Sequence, residues 1–202
     1  MIIDKPAITS EPIHELLAGR WSPRAFDPEQ AVTREQITAM LEAARWSPSC
    51  FGDEPWRFIV LDRSRDPDNW RRGFECLAEG NRKWAYNAPV LFAVLADTRF
   101  RDRDRGNRWA QYDTGAASMS LVLQAVALGL NAHQMGGFDS ERLCATFGVP
   151  ERFTPMAVIA VGFPGEPRDL PEEYQEREMA ERNRQPLEDI AFSGRWESPY
   201  LD

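Results

Sequence analysis

The segment PVLFAVLA at residues 89–96 contains no charged or hydrogen-bonding side chain, and it constrains the fold more than any other segment. A short apolar run of this kind is typical of a strand that is buried on both faces. We therefore predict a central strand here. WRFIVL at 56–61, LNAHQM at 130–135 and PMAVIAVGF at 155–163 are further predicted strands of the same sheet.

Helical patterns alternate with these strands. Thr33 and Gln36 form a capping-box pattern before an amphipathic helix, and residues 109–128 predict a helix that is buried nearly all round. We also expect Ser10 to cap a short helix that ends at Gly19. The alternation predicts an α/β or α+β sandwich, in which helices pack against one central sheet.

Composition narrows the class of protein. The chain has 202 residues and a formal charge of −8, so we expect one domain that binds neither nucleic acid nor an anionic membrane surface. Residues 114–130 are about as long as a short membrane span, but their polar side chains favour a buried core helix. Three widely spaced cysteines and two histidines predict no disulfide framework and no metal site, and favour the reducing cytoplasm. The N-terminus shows no signal-peptide pattern.

Two short basic segments stand out in this acidic chain. GRWSPRAF at 19–26 places Arg20, Ser22 and Arg24 at alternate positions, and ERNRQPL at 181–187 places Arg182 and Arg184 two positions apart. Guanidinium groups and a hydroxyl together suit a phosphate monoester, because charge-assisted hydrogen bonds to its oxygens are strong. The alternative is a solvated loop whose arginines pair with nearby acids such as Asp27. The residues of this candidate anion site are Arg20, Ser22, Arg24, Arg182 and Arg184.

Two further segments could approach a flat ligand. RWSPSCFGDEPWRF at 45–58 joins a helix to a strand through a Pro-Ser turn, and QMGGFD at 134–139 contains adjacent glycines. Glycines let backbone N–H groups come close to a ligand, but they equally permit tight turns. The glycine-rich phosphate loops, the nucleophile elbow and the H-E-x-x-H motif are absent from the sequence.

Taken in order, these segments resemble the nitroreductase family of flavoproteins from Arg20 to about Pro186. The matching pieces include RWSPRAFDP, AARWSPSCFGDEPWRF, DTGAASMSLVLQAVALGL, QMGGFD and RNRQPLEDIAF. The resemblance implies an α+β fold, a three-layer α/β/α sandwich with a mainly antiparallel central sheet. It also implies bound FMN and a homodimer that exchanges a C-terminal arm, here about residues 165–202.

The resemblance assigns roles to matching positions. The two basic segments would hold the FMN phosphate and ribityl chain, the Pro-Ser turn would lie against the flavin from the other subunit, and the glycine pair would face flavin N5. Two polar residues between the predicted strands at 56–61 and 89–96 would approach the ring. No protein side chain is implied as a catalytic residue, because flavin N5 carries the chemistry. Beside the candidate anion site, the implied FMN contacts are Pro48, Ser49, Cys50, Asn81, Lys83, Gly136 and Gly137.

The resemblance implies a ping-pong oxidoreductase that takes hydride from NADH or NADPH and reduces a small electron-poor acceptor, such as a nitroaromatic or a quinone. Cys50, Gly52 and Glu54 depart from the commoner family pattern, which leaves the ring contacts and acceptor preference open. The alternatives are a relative acting in dehalogenation or flavin breakdown, a flavin-binding protein without turnover, and a plain α/β domain whose arginines form surface ion pairs.

Overall fold

A computed structural model of the chain describes residues 3–200. Its sheet has four strands, β1 (Trp56–Asp62), β2 (Val90–Asp97), β3 (Asn131–Met135) and β4 (Phe153–Gly162). The helices are α1 (Glu15–Gly19), α2 (Arg34–Arg45), α3 (Pro67–Phe74), α4 (Glu79–Ala85), α5 (Ala110–Ala127), α6 (Ser140–Phe147) and α7 (Glu172–Met179).

The strands lie in the order β1-β2-β4-β3, and each neighbouring pair is antiparallel. Strand β2 is therefore internal, with Trp56 of β1 opposite its Ala96 and Val161 of β4 opposite its Val90. Every residue of β2 is buried. This confirms the prediction made from its uninterrupted apolar sequence.

Side chains of β2 alternate between two hydrophobic cores, one on each face of the sheet. Leu91, Ala93 and Leu95 face a core that contains residues of α3, α4 and α6. Val90, Phe92 and Val94 face the other core, to which α2 and α5 contribute. Full burial of a Val, Leu or Phe side chain contributes about 1.5–3 kcal/mol relative to exposure, so both helix layers stabilise this strand. The predicted α+β class and three-layer sandwich are confirmed.

Several helix boundaries follow from local signals. Thr33 and Gln36 form the predicted capping box at the start of α2. Helix α5 coincides with the helix predicted for residues 109–128, but the prediction that it is buried nearly all round is wrong. Its buried residues form one face, whereas Gln111, Tyr112 and Gly115 are exposed. No helix within residues 3–200 combines the length and the hydropathy that a membrane crossing requires.

Three local predictions need correction. Helix α1 begins at Glu15 with His14 as its N-cap, so Ser10 does not cap it, although the helix ends at Gly19 as expected. Helices α3 and α4 were not predicted. The sequence predicts a polar helix around residues 171–183, but α7 spans only Glu172–Met179. Large apolar side chains beyond it are exposed, namely Leu187, Ile190, Trp196 and Tyr200. Exchange of this tail between subunits stays a prediction.

Candidate functional site

The first basic segment forms a loop that begins where α1 ends. Its backbone is fixed against the chain after β4, since Asp27 N–H donates to Phe163 O at 3.0 Å and Gly165 N–H donates to Ala25 O at 3.1 Å. A Cβ atom at Gly165 would lie 2.5 Å from the carbonyl carbon of Phe26. This close approach requires glycine at position 165. It packs the loop against the segment that follows β4.

Arg182 joins the second basic segment to the first. Its guanidinium donates to the carbonyl oxygens of Lys5 and Ala18, and to that of Arg20 at 2.9 Å. Arg20 in turn donates to Ser22 Oγ at 3.3 Å. Segments that are about 160 residues apart in sequence are thus brought into one site, as the arginine pattern predicted.

The site carries a basic cluster, which we define as Lys5, Arg20, Arg24, Arg182 and Arg184. Burial, followed by the charges of Arg182 and Arg184, lowers the pKa of Arg20. Burial and the charge of Arg184 likewise lower the pKa of Arg182. Burial is the main cause of both lowered pKa values, and the neighbouring arginine charges lower them further because like charges disfavour the protonated form. An anion bound among them would relieve this repulsion.

The acid that meets this cluster is not Asp27. The Asp27 carboxylate accepts from Glu29 N–H at 2.9 Å and from Gln30 Nε2 at 2.6 Å. Instead, the buried Glu178 of α7 lies 3.7 Å from Arg24 Nη1. The surface-pair interpretation with Asp27 is therefore wrong for this loop, and the cluster keeps an excess of positive charge.

His133 of β3 lies beneath the loop. Its Nδ1 is 3.0 Å from Pro23 O, and its ring centroid is 4.5 Å from that of Trp84. Burial is the main cause that lowers its pKa to about 4, with a smaller contribution from the charges of Arg24 and Arg20. The imidazole is therefore neutral at pH 7 and adds no charge to the basic cluster.

The Pro-Ser turn is held separately, against helix α5. Cys50 N–H donates to the buried Asp113 Oδ2 at 2.9 Å, and Ser49 Oγ accepts from Glu54 N–H at 3.0 Å. Phe51 and Glu54 both have positive φ values, a conformation that costs non-glycine residues energy and that clusters at functional sites. Pro48 is exposed, while Ser49 and Cys50 are half-buried.

The glycine pair follows β3. Asn81 Nδ2 donates to Gly137 O at 2.9 Å, and a Cβ atom at Gly137 would lie 2.9 Å from the same nitrogen. A Cβ atom at Gly136 would meet nothing within 4 Å, so this side is open to a ligand. Lys83 points elsewhere, because its Nζ forms an exposed ion pair with Glu173 at 3.0 Å.

The structure thus groups the predicted residues into three places. The arginines and Ser22 come together, and Asn81 comes together with the glycine pair. The Pro-Ser turn contacts α5, and among residues 3–200 no hydrogen bond links it to the basic cluster. Three residues were missed from the sequence, namely Lys5, His133 and Glu178. No group of three His, Cys, Asp or Glu side chains in this part of the chain could hold a metal ion.

Comparisons with known proteins show which proteins share this fold and sequence. A crystal structure of an oxidoreductase containing FMN superposes with a TM-score of 0.90 at 35% sequence identity, and the match covers 98% of this chain and all of the other. The Bacillus subtilis protein YdgI, a proposed NAD(P)H nitroreductase, is 27% identical over 73% of this chain and 86% of its own length. A structure from Exiguobacterium sibiricum in complex with FMN shares the fold, with a TM-score of 0.73 at 23% identity over 91% of this chain and 98% of its own.

The family comparison covers the same segments as the sequence resemblance. The model of the Nitroreductase family matches residues 17–163. This range contains the first basic segment, the Pro-Ser turn, the glycine pair and the whole four-stranded sheet. The second basic segment lies outside it and is joined to it by Arg182. The chain belongs to the Nitroreductase family.

Proposed function

We propose that the protein is an FMN-dependent oxidoreductase that takes hydride from NADH or NADPH and reduces a small electron-poor acceptor. The observation that carries this proposal is the basic cluster around the loop at residues 20–25. Within residues 3–200, its five cations outnumber the acid Glu178, which forms an ion pair with Arg24. Family membership and the FMN named in similar structures support the choice of anion.

The donors of the cluster fit a phosphate monoester. Arg20 and Arg24 are only half-buried and Arg184 is exposed, so their guanidinium groups can reach a ligand. Ser22 adds a hydroxyl beside Arg20. Charge-assisted hydrogen bonds of this kind contribute about 1.5–3 kcal/mol each. The FMN phosphate and ribityl chain would be held by Arg20, Ser22, Arg24, Arg182 and Arg184.

The glycine pair would contact the flavin ring. Gly136 has open space on its side-chain face, and Asn81 fixes the Gly137 carbonyl. Backbone N–H groups at this pair can donate to flavin N5, and Asn81 can contact the ring edge. Lys83 would have to leave its exposed ion pair with Glu173, which is worth about 1 kcal/mol or less.

We further propose a homodimer with two shared sites. The Pro-Ser turn belongs to the site by family resemblance, yet its hydrogen bonds lead to α5 and away from the basic cluster. A second subunit would supply Pro48, Ser49 and Cys50 to the flavin. The exposed apolar side chains of the C-terminal tail support an arm, about residues 165–202, that packs on this partner. The chain would then be one domain with an arm.

When bound, FMN would supply the hydride chemistry at N5 between NADH or NADPH and an acceptor such as a nitroaromatic or a quinone, in a ping-pong reaction. The chain would hold its phosphate and ribityl chain through the two basic segments and would contact its ring through the glycine pair. The three free cysteines support a reducing compartment such as the cytoplasm.

The visible absorption spectrum of the purified protein tests the proposal, before and after anaerobic addition of NADH or NADPH. We expect an oxidised-flavin spectrum that bleaches on addition of one or both donors. Flavin that stays oxidised with either donor would contradict the reductase and support a flavin-binding protein. Failure to take up added FMN would contradict the cofactor assignment.

A further inference from the structure

We propose that Glu178 is a positioning residue for the phosphate-binding loop, an inference that rests on the proposed function. Glu178 lies in the last turn of α7, and its side chain is 1% exposed. A buried carboxylate is costly unless cations and hydrogen-bond donors surround it. The groups that surround this one belong to the loop.

The carboxylate holds the loop backbone directly. Glu178 Oε1 accepts from Arg24 N–H at 2.7 Å and from Ala25 N–H at 3.1 Å. Two adjacent amides that point at one oxygen fix the peptide plane between them. This fixes the direction in which the Arg24 side chain leaves the loop.

The second carboxylate oxygen acts on the Arg24 side chain. Glu178 Oε2 lies 3.7 Å from Arg24 Nη1 and has no hydrogen-bond partner within residues 3–200. Arg24 is the more exposed member of the pair, with 24% of its side chain accessible. The guanidinium is thus attracted to Glu178, but this contact does not occupy all of its N–H donors. The remaining donors are available to a ligand.

The same residue also connects the N-terminal segment. Lys5 Nζ donates to the backbone carbonyl of Glu178 at 2.9 Å. Arg182, four residues later and beyond the end of α7, donates to the carbonyl oxygen of Arg20 at the other end of the loop. Glu178 and Arg182 therefore hold the two ends of the loop, and Glu178 orients the arginine that faces the anion.

Two substitutions of Glu178 distinguish a role in positioning the loop from a role of its negative charge alone. Glu178→Gln removes a negative charge beside the anion site, so a role in charge alone predicts tighter FMN binding. In the Gln variant, however, an amide N–H₂ can face the Arg24 guanidinium, and two donors cannot bond. Glu178→Asp keeps the charge but is one methylene shorter, so it cannot reach both backbone amides.

The experiment measures the dissociation constants of FMN and of riboflavin, which lacks the phosphate, by flavin fluorescence on the full chain. We expect both variants to weaken FMN binding about tenfold while riboflavin binding stays unchanged. Glu176→Gln is the matched control, because it makes the same charge change on the exposed side of α7 and should leave both constants unchanged.

Each other outcome has a defined meaning. Tighter FMN binding by Glu178→Gln with no change for Glu178→Asp would show that only the local charge matters, and would overturn the proposal. Equal losses for FMN and riboflavin would indicate general damage and would also overturn it. A wild-type protein that binds the two flavins equally would instead contradict the phosphate site of the proposed function.

Discussion

The loop at residues 20–25 and the turn at residues 47–54 were assigned to one site, but they are built in different ways. The loop is fixed by the far end of its own chain, through Glu178 and Arg182. The turn is fixed by α5, through Asp113 and Ser120. One subunit therefore holds each region in place without joining the two. A shared family motif can identify the parts of a site without showing which chain supplies them.

The largest expected effect comes from removing arginines of the basic cluster that surrounds the loop at residues 20–25. Arg20→Ala combined with Arg184→Ala removes two donors of the basic cluster, and we expect FMN binding to weaken about 100-fold or more. Riboflavin binding should change little, because it has no phosphate. Both dissociation constants can be measured by flavin fluorescence. The control is Arg34→Ala with Arg65→Ala, two exposed arginines remote from the cluster in sequence. Unchanged FMN affinity in the variant that lacks Arg20 and Arg184 would contradict the assignment of the basic cluster as the phosphate site.

Low pH should destabilise the loop at residues 20–25 more than the turn at residues 47–54, because the buried His133 lies beneath the loop. The pKa of His133 is lowered to about 4 by burial, whereas an unfolded chain has a histidine pKa of about 6.5. The unfolded state therefore binds more protons between these values. The contribution of His133 to stability is complete above pH 6.5 and is lost as the pH falls, by about 2 kcal/mol at pH 5.

Urea unfolding at pH 7 and pH 5 measures this loss, with His133→Gln as the comparison. The Gln variant cannot become charged, and its amide can still donate to Pro23 O. We expect the wild-type free energy of unfolding to fall more steeply with acid than that of the variant. Parallel pH dependence in the two proteins would show that His133 does not carry the effect.

The smallest expected effect tests whether the two regions come from different subunits. Ser49→Trp should block the part of the flavin site that the turn at residues 47–54 supplies. The variant with Arg20→Ala and Arg184→Ala lacks the part that the loop and the basic cluster supply. If each site takes one half from each subunit, a mixture of the two defective proteins recovers about a quarter of the FMN sites after random exchange. Each protein alone should recover none. No recovery in a mixture that has exchanged subunits would place both halves in one chain.

The sheet could be predicted from sequence because β2 is apolar at every position from Val90 to Ala96. Helix α3 was missed although Asp66 and Pro67 are ordinary helix-start residues. Its apolar face consists only of Trp70, Gly73 and Phe74, about one helical turn, which is too short a pattern to establish helical periodicity in the sequence. Its position depends on tertiary packing, which local periodicity does not report.

The site could be predicted only in part, for a similar reason. Arg20 and Arg184 were found because basic residues are conspicuous in an acidic chain. Glu178 was missed because it stands among other glutamates of α7 that are exposed, and nothing in the sequence distinguishes the buried one. Lys5 was missed because its partners lie at the opposite end of the chain.

The contacts of Glu178 and Arg182 with the loop also impose an order on biogenesis. Residues 20–25 leave the ribosome early, but the residues that fix them are made more than 150 positions later. Contacts so distant in sequence form late in folding. If this loop holds the FMN phosphate as proposed, the nascent chain can assemble much of its sheet before it can retain the cofactor, and FMN binding would be one of the last steps of maturation.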